Sequence, residues 1–203
     1  MTATPAAKTM SLAAAMTALA LALPSATLAA GTDDGAEPTP TETTTTCTDG
    51  KIWNAEKKEC LDPEPMEGEK PAAAEGSDPQ MQARFSDDQL FEAAREFAYA
   101  GQPEHAIRAL KAARNQDDPR ILNYLGFAHR KAGRLELAMD YYRKALAIDA
   151  DYLLARSYMG QGLIEMGDID GARVQLVEIR DRGGKDSHAY RALAESLDRG
   201  STY

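Results

Sequence analysis

The sequence has no surplus of positive charge. It carries 23 Lys and Arg against 32 Asp and Glu, and its formal net charge is −9. Nucleic-acid-binding proteins need a basic surface that displaces counterions from the phosphates. The acidic balance therefore argues against nucleic acid as a partner. The acidity is concentrated in residues 31–84, which hold 5 basic and 13 acidic side chains, whereas residues 85–203 hold 17 and 19.

Side chains that hold metals or act as nucleophiles are scarce. The chain has two cysteines, and its three histidines, His105, His129 and His188, are too scattered to form a ligand pair. Gly184-Lys185 lacks the earlier glycine of a phosphate-binding loop, because Ile179 stands at that position. The sequence thus predicts no metal, no cofactor and no enzymatic activity.

No apolar run is long enough to span a membrane comfortably. The run Ser11–Leu23 follows Lys8 and precedes the small residues of Thr27-Leu28-Ala29, an order typical of a secretory signal. We expect residues 1–29 to be a signal peptide and the mature chain to be periplasmic or secreted, without a membrane span. A retained signal anchor is the alternative.

Residues 30–84 have no sustained apolar period and are rich in Thr, Pro, Glu, Gly and Ala. Such a composition cannot bury enough apolar surface to offset chain entropy, so we predict a disordered acidic linker. Within this linker, Cys47 and Cys60 enclose the turn signal Asp49-Gly50. In an oxidising compartment an even cysteine count indicates one bridge, so we predict a disulfide-stapled hairpin over residues 47–60.

The second half of the sequence repeats itself with a period of 34 residues. The small residues that return at this interval are Gly126 and Gly160, Gly133 and Gly167, and Ala138 and Ala172. A weaker copy lies 32 residues upstream, at Ala94, Gly101 and Ala106. A fixed period of this size is the signature of stacked helical hairpins. We predict an all-α solenoid of three hairpins over residues 85–186 and a capping helix over residues 187–203.

These positions resemble the tetratricopeptide repeat over about Asp87–Asp186. The resemblance implies that the first helix of each hairpin, helix A, lines a concave groove that binds a protein or peptide. Asn123 falls where some members of the family use an Asn or Lys to hold a peptide. The groove residues that we predict on this register are Arg95, Tyr99, Arg120, Asn123, Phe127, Arg130, Gln161 and Arg191.

The preferred functional hypothesis is a non-enzymatic protein- or peptide-binding adaptor or scaffold of the bacterial periplasm or cell envelope. The segment from Cys47 to Cys60 also weakly resembles half of a peritrophin-type chitin-binding module. This resemblance implies an alternative, an envelope carbohydrate-binding protein in which Trp53 contacts the glycan. The favoured interpretation of Trp53 itself is that it packs on its own disulfide. A self-assembling structural subunit is a third hypothesis. The sequence names neither the partner nor the oligomeric state.

Overall fold

The computed structural model describes residue 35, residues 37–63 and residues 84–200. The predicted signal peptide lies outside the described residues, as does the part of the predicted linker over residues 64–83. Helices dominate the described ranges, and none of these helices combines the length and apolarity that crossing a bilayer demands.

Two small elements precede the helical repeats. A one-turn helix, α1 (Glu42–Thr45), is followed by an antiparallel pair of strands, β1 (Ile52–Asn54) and β2 (Glu59–Leu61). The predicted disulfide is present, and it joins Cys47 to Cys60 with 5.7 Å between the Cα atoms.

Three helical hairpins and a last single helix follow, so the predicted all-α solenoid is confirmed. The helices are α2 (Asp87–Tyr99), α3 (Pro103–Lys111), α4 (Pro119–Lys131), α5 (Leu135–Ile148), α6 (Leu153–Glu165), α7 (Ile169–Asp181) and α8 (His188–Gly200). Helices α2, α4 and α6 are the A helices of the three repeats. Each of them contacts the next A helix, and α8 extends this inner layer by packing on α6.

The helix ends follow from local sequence signals. Ser86 and Gln89 form a reciprocal capping box at the start of α2, and Pro103 occupies the first turn of α3. Gly101, Gly133 and Gly167 close the three A helices at φ values of +73°, +77° and +84°. A Cβ at these glycines would meet no neighbouring atom, so the left-handed backbone alone requires glycine.

Two other glycines are needed for close packing. A Cβ on Gly126 would lie 2.5 Å from Tyr142 of the same repeat, and a Cβ on Gly160 would lie 2.6 Å from Leu193 of α8. Both neighbouring side chains are fully buried. Gly160 therefore lets the capping helix approach α6.

Between residues 37 and 63 the chain packs against the first repeat, whereas the sequence predicted a disordered acidic linker around the hairpin. Ile52 is fully buried and belongs to the same apolar core as the first repeat. The Asn54 side-chain amide donates to the Arg84 carbonyl over 3.0 Å, and Arg108 of α3 donates to the Asp49 carbonyl. The hairpin thereby covers the first repeat, at the end of the solenoid opposite to α8.

Candidate binding groove

The inner layer carries a cluster of aromatic side chains, which we call the aromatic floor: Tyr99, Tyr124, Phe127 and Tyr158. The ring of Phe127 stacks on Tyr158 with 4.7 Å between centroids and lies 5.2 Å from Tyr99. The Tyr99 and Tyr158 hydroxyls are 2.8 Å apart, which joins the first repeat to the third. Burial raises the pKa of Tyr158 well above its ordinary value, so this hydroxyl stays neutral and can donate.

Three of the predicted cations, Arg95, Arg120 and Arg130, contact aromatic side chains of the inner layer. Arg95 donates to the Tyr124 hydroxyl over 3.2 Å. Arg120 lies 5.1 Å from the Phe91 ring centroid and pairs with Asp88 and Asp118.

Arg130, the third of these cations, is 7% exposed and packs over Phe127. Its guanidinium also donates to Glu165 and to Gln161, two side chains of the next A helix. Sequence reasoning missed Lys131, whose ammonium lies 5.5 Å from the Phe127 centroid.

The other predicted groove residues have different environments. Asn123 is fully buried and its amide donates to the Tyr152 hydroxyl over 3.2 Å, so the side chain lies inside the wall. Gln161 is half-buried, accepts from Arg130 and reaches Ser157. Arg191 is exposed on α8 and donates to the Asp186 carbonyl. The structure therefore brings Tyr99, Phe127, Arg130 and Gln161 together, whereas it separates Asn123 and Arg191 from them.

The groove holds a piece of the chain's own backbone at Gly35. The Tyr99 hydroxyl donates to the Gly35 carbonyl over 3.0 Å, and Gly35 is buried. A Cβ on Gly35 would lie 2.5 Å from Leu154 of α6 and 3.1 Å from His188 of α8. The contact joins residues 64 positions apart. Gly35 itself lies in a Gly-, Asp- and Thr-rich stretch, so no local sequence signal could have indicated the contact.

Trp53 lies outside this groove, at a separate cleft between the hairpin and α2. The cleft has a volume of about 550 Å³ and is lined by Trp53, Ile52, Phe85, Thr41, Asp88 and Glu92, among others. Trp53 is half-buried and stands opposite Cys60 in the strand pair, beside the disulfide. Over the described ranges, no three His, Cys, Asp or Glu side chains are grouped to hold a metal ion.

Comparison with known proteins agrees with this architecture over the C-terminal part of the chain. Residues 129–197 match the family model described as tetratricopeptide repeat. The chain in the crystal structure of MamA is similar at 18% identity and a TM-score of 0.41, covering 58% of this chain and 81% of that one, too distant a likeness to bear on function. No curated protein sequence matches the chain. Residues 129–197 are thus a tetratricopeptide-repeat region, which is the fold of a protein-interaction scaffold.

Proposed function

We propose that the chain is a non-enzymatic adaptor that binds a protein or peptide partner in its concave groove. The observation that carries this proposal is the hydrogen bond from the Tyr99 hydroxyl to the Gly35 carbonyl, because it places a main-chain carbonyl on the aromatic floor. A groove that accepts one segment of backbone has the width and the donors to accept another.

The chemistry of the groove suits a peptide better than a small molecule. Its polar groups are hydroxyls, guanidinium groups and an amide spread over α2, α4 and α6, at Tyr99, Arg130 and Gln161. Donors spaced along successive helices match the repeating carbonyls of an extended chain. The stacked rings of Phe127 and Tyr158 add an apolar surface between them.

The compartment that we propose is the periplasm or the outside of the cell. The Cys47–Cys60 bridge supports this assignment, because structural disulfides persist in oxidising compartments and are rare in the cytosol. The signal-like pattern of residues 1–29 points to the same compartment.

The groove can be tested by filling it. Gln161→Trp introduces an indole beside Arg130, and we expect it to weaken a partner cross-linked from envelope extract by at least tenfold. Val174→Trp is the matched control, because Val174 is 55% exposed on α7, a B helix outside the inner layer. Titration of the purified partner against both variants gives the measurement. Equal binding to the two variants would contradict the proposal.

The cleft beside Trp53 supports a second candidate function, carbohydrate binding. A half-buried indole with carboxylates and hydroxyls nearby is the chemistry of a sugar subsite. In that case Trp53→Ala abolishes binding to an envelope oligosaccharide, whereas Gln161→Trp leaves it unchanged. The same pair of titrations therefore separates the two functions.

A further inference from the structure

Residue 35 and residues 37–46, which we call the N-terminal arm, contact the helical repeats at Gly35, Thr41 and Thr44. Its first described residue, Gly35, lies on the aromatic floor. Its last turns, in α1, lie against α2 of the first repeat. The arm is thus held at two points, by Tyr99 and by Glu96.

Glu96 is the stronger of the two anchors. Glu96 lies on α2 and is 7% exposed. The Thr41 amide and the Thr41 hydroxyl donate to the carboxylate over 3.0 Å and 2.8 Å, and the Thr44 hydroxyl donates to it as well. A buried carboxylate is costly without donors, and the arm supplies three of them.

Gly35 is the selective anchor. Its φ of +71° is readily adopted only by glycine, and the missing Cβ is what allows Leu154 and His188 to close over the backbone. A Cβ at this point would require the end of the Leu154 side chain, which is 3% exposed, to move. The positive φ and this close approach together favour glycine over any larger residue here.

We propose that the N-terminal arm is an intramolecular ligand that competes with the partner for the groove, and that the partner is an extended peptide that places a glycine against Leu154 and His188. The inference rests on the proposed function. The arm is tethered beside the groove by the hairpin, and a tethered ligand acts at an effective concentration near the millimolar range. A partner must exceed this competition, which lowers its apparent affinity by the fraction of chains in which the groove is open.

Gly35→Val tests the competition in the full-length chain. The new side chain removes the arm from the groove, while a labelled synthetic peptide with the sequence of residues 31–46 retains its glycine. We expect this peptide to bind the variant at least tenfold more tightly than the wild type, as measured by fluorescence anisotropy. The same peptide with valine in place of Gly35 is the control, and it should bind neither chain. Equal affinity for the two chains, or no binding to the variant, would overturn the proposal.

Glu96→Ala provides a second variant, which acts on the other anchor. It removes the acceptor for Thr41 and Thr44, so we expect backbone amide exchange over residues 37–46 to accelerate by at least tenfold. Glu92→Ala, one turn away on the same helix, is the matched control, because the Glu92 carboxylate accepts from Arg95 of its own helix. Unchanged exchange in Glu96→Ala would count against a competing arm.

Failure of this inference can be told apart from failure of the groove itself. A cross-linked partner that binds wild type and Gly35→Val equally, yet is lost in Gln161→Trp, overturns the competition and leaves the binding function intact. A partner that is insensitive to Gln161→Trp overturns the binding function.

Discussion

His129 is a buried imidazole that is held neutral. It is 4% exposed, its Nδ1 accepts from Arg134 over 2.9 Å, and its ring stacks on Tyr141. Burial, together with the positive charges of Arg134 and Lys111, lowers the pKa of His129 from 6.5 to about 4. As the pH falls, the unfolded chain takes up this proton first. The contribution of neutral His129 to the free energy of unfolding is therefore fully present above about pH 6.5 and is lost as the pH falls towards 4.

A substitution isolates this dependence on pH. We expect His129→Gln to remove about 1–3 kcal/mol of the decrease in the free energy of unfolding between pH 7.5 and pH 4.5. Urea unfolding at a series of pH values measures it. A wild-type slope in His129→Gln would show that another group carries the dependence.

Gly160 is a second residue whose role is specific. Gly160→Leu places atoms where Leu193 of the capping helix now packs, and overpacking of this kind costs about 1–3 kcal/mol. We expect the stability lost in Gly160→Leu to be smaller when Leu193→Ala is added, because the truncated side chain leaves room for the new leucine. Thermal unfolding of the single and double variants measures this. Additive losses from the two substitutions would place the strain elsewhere.

At the scale of elements, the helices were predictable because their signals are local. Ser86, Pro103 and Gly133 each act within a few residues of the helix end that they mark. The N-terminal arm was not predictable, since its contacts cross 52 to 64 positions and its threonines and glycine are typical of disordered segments. The burial of Asn123 was not predictable for a related reason: the repeat register gave its helix face, but packing against Tyr152 decides how far it is buried.

The strand hairpin is the element with the least support of its own, because a two-stranded ribbon is marginal in water. Its bridge closes 14 residues, which contributes about 3 kcal/mol in the loop-entropy treatment. We expect reduction to abolish amide protection in Ile52–Leu61 while the helical circular-dichroism signal persists. A Cys47→Ser/Cys60→Ser chain is the control and should not respond to reductant. Full protection in the reduced wild type would mean that packing on the first repeat suffices.

At the scale of the whole molecule, both ends of the helical stack are covered. The hairpin and α1 cover the first repeat, and α8 covers the third with a polar outer face that includes Arg191, Glu195 and Asp198. Open solenoid ends expose apolar surface that another copy can extend. End-to-end growth of the stack would first have to remove one of these caps.

Gly35 also has a mechanical consequence. In a superhelix of stacked hairpins, small rotations between neighbouring repeats change the curvature. Gly35 contacts Tyr99 in the first repeat, Leu154 in the third repeat and His188 in the last helix, so one residue connects the first repeat to the last helix. We expect this contact to restrict changes in that curvature. We expect a peptide that displaced Gly35 to alter the curvature according to the length of its own backbone.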